Sequence, residues 1–437
     1  MVENGRNKAI DFLKKHQMDY HDIQMDEQVH IFLEEMDRGL SGANSSLQMI
    51  PTYIEVPDEL PAEDFVIAID AGGTNCRVAL IAFDKEKVPT IRYLKKTTMP
   101  GIESEVSKEI FFQTLVKYVE PVVDQSEKIG FCFSFPTEIF PNKDGRLIEF
   151  CKEVKAPEVV GEVIGENLSL ALKKAGYQKE KRIILFNDTV ATLLAGKIFS
   201  HYRNYDSYIG FVLGTGSNSC YVENNTKILK KPDLNPDQSQ IINIESGTYG
   251  RGPSGEIDRL FDQTTSNPGL YTYEKMFSGA YFGPLCLKML QVAADDGLFS
   301  AGVSKKILQM KSIQTKDIND FMIGLSDNRI SDNVLSEGNE TDHATVTHLF
   351  DLLIERAALL VAINLSAVCL KTGKGFNPDS PLFISAEGST FYKLCQLKSR
   401  VEDYLDRYLV KEKKCYYKIH QIDNATLIGA AIAGLTN

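Results

Sequence analysis

The stretch Phe65 to Leu80 reads FVIAIDAGGTNCRVAL: an apolar run, a polar turn of Asp70, Gly72, Gly73, Thr74 and Asn75, and a second apolar run opening near Arg77. Such a turn sets backbone N–H groups and a threonine hydroxyl against a ligand, with a carboxylate beside them. That chemistry suits a nucleotide phosphate with its magnesium ion. Glycines between strands also make ordinary hairpins, so this segment alone leaves both readings open. A second unit of the same kind, YIGFVLGTGSNSCYVEN, spans Tyr208 to Asn224 and turns at Gly214, Thr215, Gly216, Ser217 and Asn218. Two strand–turn–strand units about one domain length apart suggest related halves that grip phosphates from both sides.

Acids and hydroxyls cluster in three further segments. Arg182 to Gly196, RIILFNDTVATLLAG, ends a strand in Asn187 and Asp188 and opens a helix at Thr189. An aspartate at a strand end facing a cleft can take a proton from a substrate hydroxyl. The same residue type commonly caps a helix. Between Ile129 and Val154, Ser134, Phe135 and Pro136 close a strand and Lys152 follows in a polar loop. Glu245 ends another strand, and Glu274 lies in NPGLYTYEKMFSG. Hydroxyls, amides and carboxylates on loops suit a polyhydroxyl ligand, although each acid alone reads equally as a solvated surface group.

The elements that must position these groups follow from periodicity. Residues 1–40 read as helices, with Val29, Phe32, Leu33 and Met36 on one face and Gly39 as a stop. Pro51, Pro57 and Pro61 make 41–64 an extended connector. Strands are expected at 65–70, 76–83, 129–134, 182–187, 240–245 and 382–385. Helices are expected around 105–120, 160–175 and 190–199, through much of 270–370, at 391–409 and at Leu427 to Leu435.

With 437 residues, 43% of them hydrophobic and 24% charged, the chain can form two or three domains with their own cores. A net charge of −11 argues against nucleic acid or an anionic membrane as the main partner. The N-terminus lacks a signal-peptide pattern, and the apolar run Ala357 to Leu370 is too short to span a bilayer, so a cytoplasmic protein is expected. Eight scattered cysteines without a C-x-x-C pair read as reduced, packed thiols, and no His/Cys cluster has metal-ligand spacing.

In this order and at these separations the segments resemble the hexokinases of the sugar-kinase branch of the actin/heat-shock-ATPase superfamily. The resemblance covers nearly the whole chain: GLSGANSSLQMIPTYI, AIDAGGTNCRV, FSFP, LFNDTVATL, VLGTGSNSCYVE, INIESGTYG, NPGLYTYEKMFSGAYFG, FISAEGSTFYK and LIGAAIAGL. It implies a two-lobed α/β, actin-like/ribonuclease-H-like ATPase fold with a central cleft between duplicated domains. The small lobe would be 62–186 plus 422–437, and the large lobe 1–61 plus 187–421. Asp188 would be the general base toward a hexose 6-hydroxyl, with Lys152 and Arg77 near the transferring phosphate. Ser134, Phe135, Cys151, Lys152, Asn187, Asn218, Glu245 and Glu274 would line the sugar site. Gly72, Gly73, Thr74, Asn75, Gly214, Thr215 and Gly216 would hold phosphates. Gly388 and Ser389 would lie along the adenosine. Asp70 would hold Mg²⁺ through water, and Gly429 would pack in the terminal helix.

The chain departs from the family where Phe150, Cys151 and Lys152 replace the usual Trp-Thr-Lys, and a Cys donates weakly. It departs again where Ser246 replaces Trp after Glu245 and where Ser385 replaces a glycine. The expected function is ATP-dependent phosphorylation of a hexose, glucose first, by a monomer or homodimer. The alternatives are a sugar sensor without catalysis, a filament or chaperone-type ATPase, and a kinase preferring mannose, fructose or glucosamine. Each phosphate turn occurs once, so the internal relation reads as a duplication within one catalytic unit.

Overall fold

The computed structural model describes residues 2–57, 59–150, 154–200 and 203–437. Its strands in chain order are β1 (Ile50–Pro51), β2 (Val66–Gly72), β3 (Asn75–Phe83), β4 (Pro89–Thr98), β5 (Lys128–Phe133), β6 (Thr137–Ile139), β7 (Gly145–Leu147), β8 (Arg182–Phe186), β9 (Ser207–Leu213), β10 (Ser217–Asn224), β11 (Ser239–Asn243), β12 (Leu382–Glu387) and β13 (Tyr417–His420). They form one sheet ordered β4-β3-β2-β5-β8, a second ordered β1-β11-β10-β9-β12-β13, and a β6-β7 ribbon.

The two sheets share one scheme. In the first, β4, β3 and β2 pair antiparallel, and β2, β5 and β8 pair parallel. In the second, β11, β10 and β9 pair antiparallel, and β9, β12 and β13 pair parallel. The halves suggested by the two glycine turns are thus one topology built twice, with β1 added along β11. The fold is the expected two-lobed α/β architecture.

β2 shows why these residues make a central strand. Val66 and Ala68 face one apolar cluster, while Ile67, Ile69 and Ala71 face another. A strand covered on both faces needs an unbroken apolar run. One cover is the helix Ala425–Thr436, whose small residues permit backbone contact. A Cβ on Gly130 of β5 would lie 1.7 Å from the Ala430 carbonyl oxygen, and one on Gly429 would lie 2.0 Å from that of Ala191. The last helix therefore presses on the first sheet and on helix Asp188–Phe199 together. Helix Glu340–Lys371 runs through the core of the second half. It is long and apolar enough to cross a membrane by length and composition, but 89% of its apolar window is buried inside the fold.

Two expectations need correction, and an edge strand was missed. The second helix runs from Met25 to Ser41 and stops at left-handed Gly42, not at Gly39. Gly39 is buried instead, where a Cβ would meet the Leu47 carbonyl at 2.5 Å. The expected helix 391–409 is broken: Ser389–Lys393 and Leu397–Leu405 are separated by Gln396 at φ +56°, and wider π turns cover Asp406–Lys413. β4 was not foreseen, because PTIRYLKKTT is an edge strand exposed along most of its length.

Candidate active site

The first glycine turn is both a hairpin and a ligand-shaped turn. Gly72 pairs with Asn75, leaving Gly73 and Thr74 as a two-residue loop with Gly73 at φ +56°. Opposite one another on β2 and β3 stand Asp70 and Arg77. Arg77 donates to Asp70 Oδ2 from Nε at 2.9 Å and from Nη2 at 2.5 Å. The Thr426 hydroxyl donates to the same oxygen at 3.0 Å, and Asn424 Oδ1 accepts from Arg77 Nη1 at 3.2 Å. The other carboxylate oxygen, Oδ1, faces the turn, 3.8 Å from where a Cβ on Gly72 would be.

The second turn is fastened by its carbonyls. Gly279 N–H and the Thr390 hydroxyl both donate to the Gly214 carbonyl at 2.8 Å, and Ala280 N–H donates to that of Thr215 at 3.0 Å. Among the described residues the N–H groups of Thr215 and Gly216 have no protein acceptor, nor do those of Gly73 and Thr74. Amides left without a protein acceptor in a glycine turn can hold an anion. Gly388, at φ +114°, lies against this turn: a Cβ there would be 2.2 Å from the Leu213 carbonyl oxygen. Ser389 next to it is exposed.

Asp188 is the first residue of its helix, not the cap. Asn187 takes the capping task, its Oδ1 accepting from Thr189 N–H and from the Thr189 hydroxyl, each at 3.0 Å. Cys132 on β5 has Asp70 and Asp188 as its charged neighbours; burial pushes its thiol well up, and the two carboxylates push it further. Asp70 and Asp188 thus both act on Cys132. Glu387, at the end of β12, belongs to the same field. Burial raises its carboxyl, the Gly388 N–H and Arg77 oppose that, and Asp423 and Asp188 add to it.

Amides and acids converge beside Asp188. Asn218 Nδ2 donates to Asn243 Oδ1 at 2.8 Å and lies 3.3 Å from Glu245 Oε1 and 3.4 Å from Asn187 Oδ1. Asn243 Nδ2 donates to Glu245 Oε1 at 2.7 Å. Glu245 holds a left-handed backbone at φ +57°, a strain that persists only where the surroundings enforce it. Glu274 Oε2 accepts from Ser217 N–H at 2.9 Å, and a Cβ on Gly216 or Gly247 would collide with that oxygen at 2.9 or 2.8 Å. Ser134 continues from β5, its N–H donating to the Ala71 carbonyl at 3.0 Å.

The structure therefore gathers Asp70, Arg77, Ser134, Asn187, Asp188, Asn218, Glu245 and Glu274 with both turns. Cys151 and Lys152 lie outside the described residues. Phe135, expected among the sugar contacts, is 2% exposed and packs its ring on Phe133 and Phe150 at 4.8 and 5.0 Å, so its side chain is part of an aromatic core. Asn243 and Glu387 were not anticipated. Asn243 carried a readable signal, a lone polar amide in the apolar strand Ile241 to Ile244.

A family model described as Hexokinase matches residues 12–198, and another of the same description matches residues 208–436. The chain belongs to the hexokinase family. It is 28% identical to Hexokinase-7 of Oryza sativa subsp. japonica over 422 residues, covering 91% of this chain and 90% of the relative. Hexokinase-5 of the same plant is 31% identical, with 79% and 72% covered. Homo sapiens Hexokinase-1 is 28% identical over 86% of this chain but only 43% of its own length. A solved Schistosoma mansoni hexokinase, complexed with glucose, superposes with a TM-score of 0.82 at 22% identity, covering all of both chains. This hexokinase-family chain is thus a phosphotransferase of sugars with the fold of that structure.

Proposed function

We propose that the protein transfers the γ-phosphoryl group of Mg-ATP to the 6-hydroxyl of a hexose, with D-glucose as first substrate. The observation that carries this reading is the ring of Asn187, Asn218, Asn243, Glu245 and Glu274 beside Asp188. Joined amides and carboxylates around one volume can exchange hydrogen bonds with several sugar hydroxyls at once, which a phosphate-only site would not require. A hydroxyl held there next to Asp188 can lose its proton to that carboxylate as it attacks phosphorus. The N–H groups of Gly73, Thr74, Thr215 and Gly216 would hold the phosphate oxygens. Arg77 and Lys152 would offset the developing charge.

The residues fit a hydrated Mg²⁺. Asp70 Oδ1 lies 3.8 Å from where a Cβ on Gly72, at the edge of the glycine turn, would be. Mg²⁺ commonly keeps its waters and takes one carboxylate plus substrate phosphates, and when bound it would neutralise phosphate charge. Closing the lobes on the sugar would exclude water from the phosphates.

The test is ADP production from Mg-ATP with and without a panel of hexoses. A rate raised by orders of magnitude with glucose or a close relative supports the reading, and a flat response refutes it. Asp188→Ala should keep hexose binding and lower kcat by at least about 10²-fold. Near-normal turnover in that variant would remove the base assignment.

A further inference from the structure

The segment that carries Glu274 also reaches across the cleft. It is rooted in the large lobe: Tyr273 is fully buried and packs on Tyr249 and Phe277. On the other side, Glu149 precedes Phe150, whose ring packs on Phe111, Phe133 and Phe135 in the core of the first sheet. Between them the Tyr271 hydroxyl donates to Glu149 Oε1 at 2.8 Å. Among the described residues this hydrogen bond links the two cores.

The arm behind that hydroxyl is built to hold its shape. Lys275 is 2% exposed, and its Nζ donates to Asp262 Oδ1 at 2.6 Å, Asn267 O at 2.8 Å and Thr265 Oγ1 at 2.9 Å. All three protons of a buried ammonium are satisfied, so the loop is pinned from within. Asp262 Oδ2 accepts from Gly269 N–H at 2.8 Å, fixing the turn ahead of Tyr271. Tyr271 itself sits at φ +54°. A side chain larger than glycine stays in that region only where its surroundings hold it there. Here they are the pinned loop on one side and Glu149 on the other.

We propose that Tyr271 is a positioning residue: through Glu149 it ties the small-lobe segment leading to Lys152 to the arm bearing Glu274, and so sets how firmly the lobes hold a hexose. The proposal rests on the hexose-kinase reading of the cleft. Its consequence is a split between binding and turnover. Loss of the bond loosens the sugar's enclosure, while the fully loaded enzyme keeps its base and its phosphate turns.

The experiment compares wild type with Tyr271→Phe, Glu149→Ala and the double variant. Tyr271→Phe keeps the ring and removes only the donor. The hexose KM should rise about three- to tenfold, as expected for one partly exposed bond to a carboxylate, with kcat and the ATP KM within about twofold. The double variant should be no worse than the worse single one, because both remove the same bond. An unchanged hexose KM in Tyr271→Phe, or single effects that multiply in the double variant, overturns the proposal. Amide hydrogen exchange without substrates gives a second readout. Exchange at 147–150 and 268–274 should quicken in both single variants, and unchanged protection also overturns the bridge. If wild type phosphorylates no hexose, the kinase reading falls, and the exchange result alone decides whether Tyr271 links the two segments.

Discussion

Asn243→Asp would isolate the joint on which the sugar site turns. Asn243 is 5% exposed, donates to Glu245 Oε1 at 2.7 Å and accepts from Asn218 at 2.8 Å. The substitution keeps shape and acceptor but replaces the donating nitrogen with an oxygen. Two carboxylates then meet at hydrogen-bond distance, and each resists ionisation of the other. With charge centres ~4 Å apart and an effective dielectric of ~20, repulsion is about 4 kcal/mol. That is about three pH units, so the pair should keep a shared proton up to roughly pH 7. Below that pH the shared proton restores a donated bond; above it both groups are charged and push apart. Hexose binding should therefore survive in acid and fail as pH rises. The lost charge-assisted bond, about 1.5–3 kcal/mol, corresponds to a roughly 10- to 100-fold higher hexose KM near pH 8.5. Asn243→Ala removes both contacts without adding charge, so its penalty should not vary with pH. The assay is hexose KM by coupled ADP release from about pH 5.5 to about pH 8.5, each variant divided by wild type. An Asn243→Asp ratio that stays flat across this range would refute the reasoning.

Gly429→Ala should destabilise the fold, because the new Cβ would lie 2.0 Å from the Ala191 carbonyl oxygen. Overpacking costs about 1–3 kcal/mol or more, against about 1 kcal/mol gained in helix propensity; an unchanged or higher Tm would contradict this. Glu387→Gln should raise Tm at neutral pH. Burial raises this carboxyl in the folded protein, so ionising it above its unfolded pKa costs stability, and the gain from Gln should vanish as pH falls below that value. Native alkylation by iodoacetamide should favour Cys395 over Cys76, Cys132, Cys220, Cys286, Cys369 and Cys415. The latter six are buried and burial pushes their thiols up, to about 12 for Cys76, Cys220 and Cys415. Peptide mass mapping that finds any of these labelled as fast as Cys395 would contradict that.

Local patterns made the frame legible. The runs around Asp70 and Gly214 are apolar because their strands are buried, and their turn residues are the ones a tight loop needs. The strand expected to end in Asn187 and Asp188 ends at Phe186, and Asp188 already belongs to the helix expected to open at Thr189. Periodicity failed where no burial pattern existed: Thr90 to Lys96 in β4 is largely exposed and leaves no alternation to read. It also failed at Gln396, whose left-handed backbone interrupts a stretch that otherwise has helical spacing. Glu387 owes its importance to groups far along the chain, Arg77, Asp188 and Asp423, and one-dimensional spacing does not encode those meetings. In FSFP the rings of Phe133 and Phe135 both turn into the aromatic core, which the residue types alone do not reveal.

The close seating of Ala430 on Gly130 has a consequence for biosynthesis. The strands of the first sheet leave the ribosome well before the helix Ala425–Thr436 that covers one of their faces. At ordinary translation rates the interval is on the order of ten seconds or more. Through it, Val66, Ala68 and Cys132 present an uncovered face that another nascent chain could also occupy. The first sheet thus waits on Ala425–Thr436 to complete its cover, and a ribosome stalled before that helix would release a chain with an unsealed sheet.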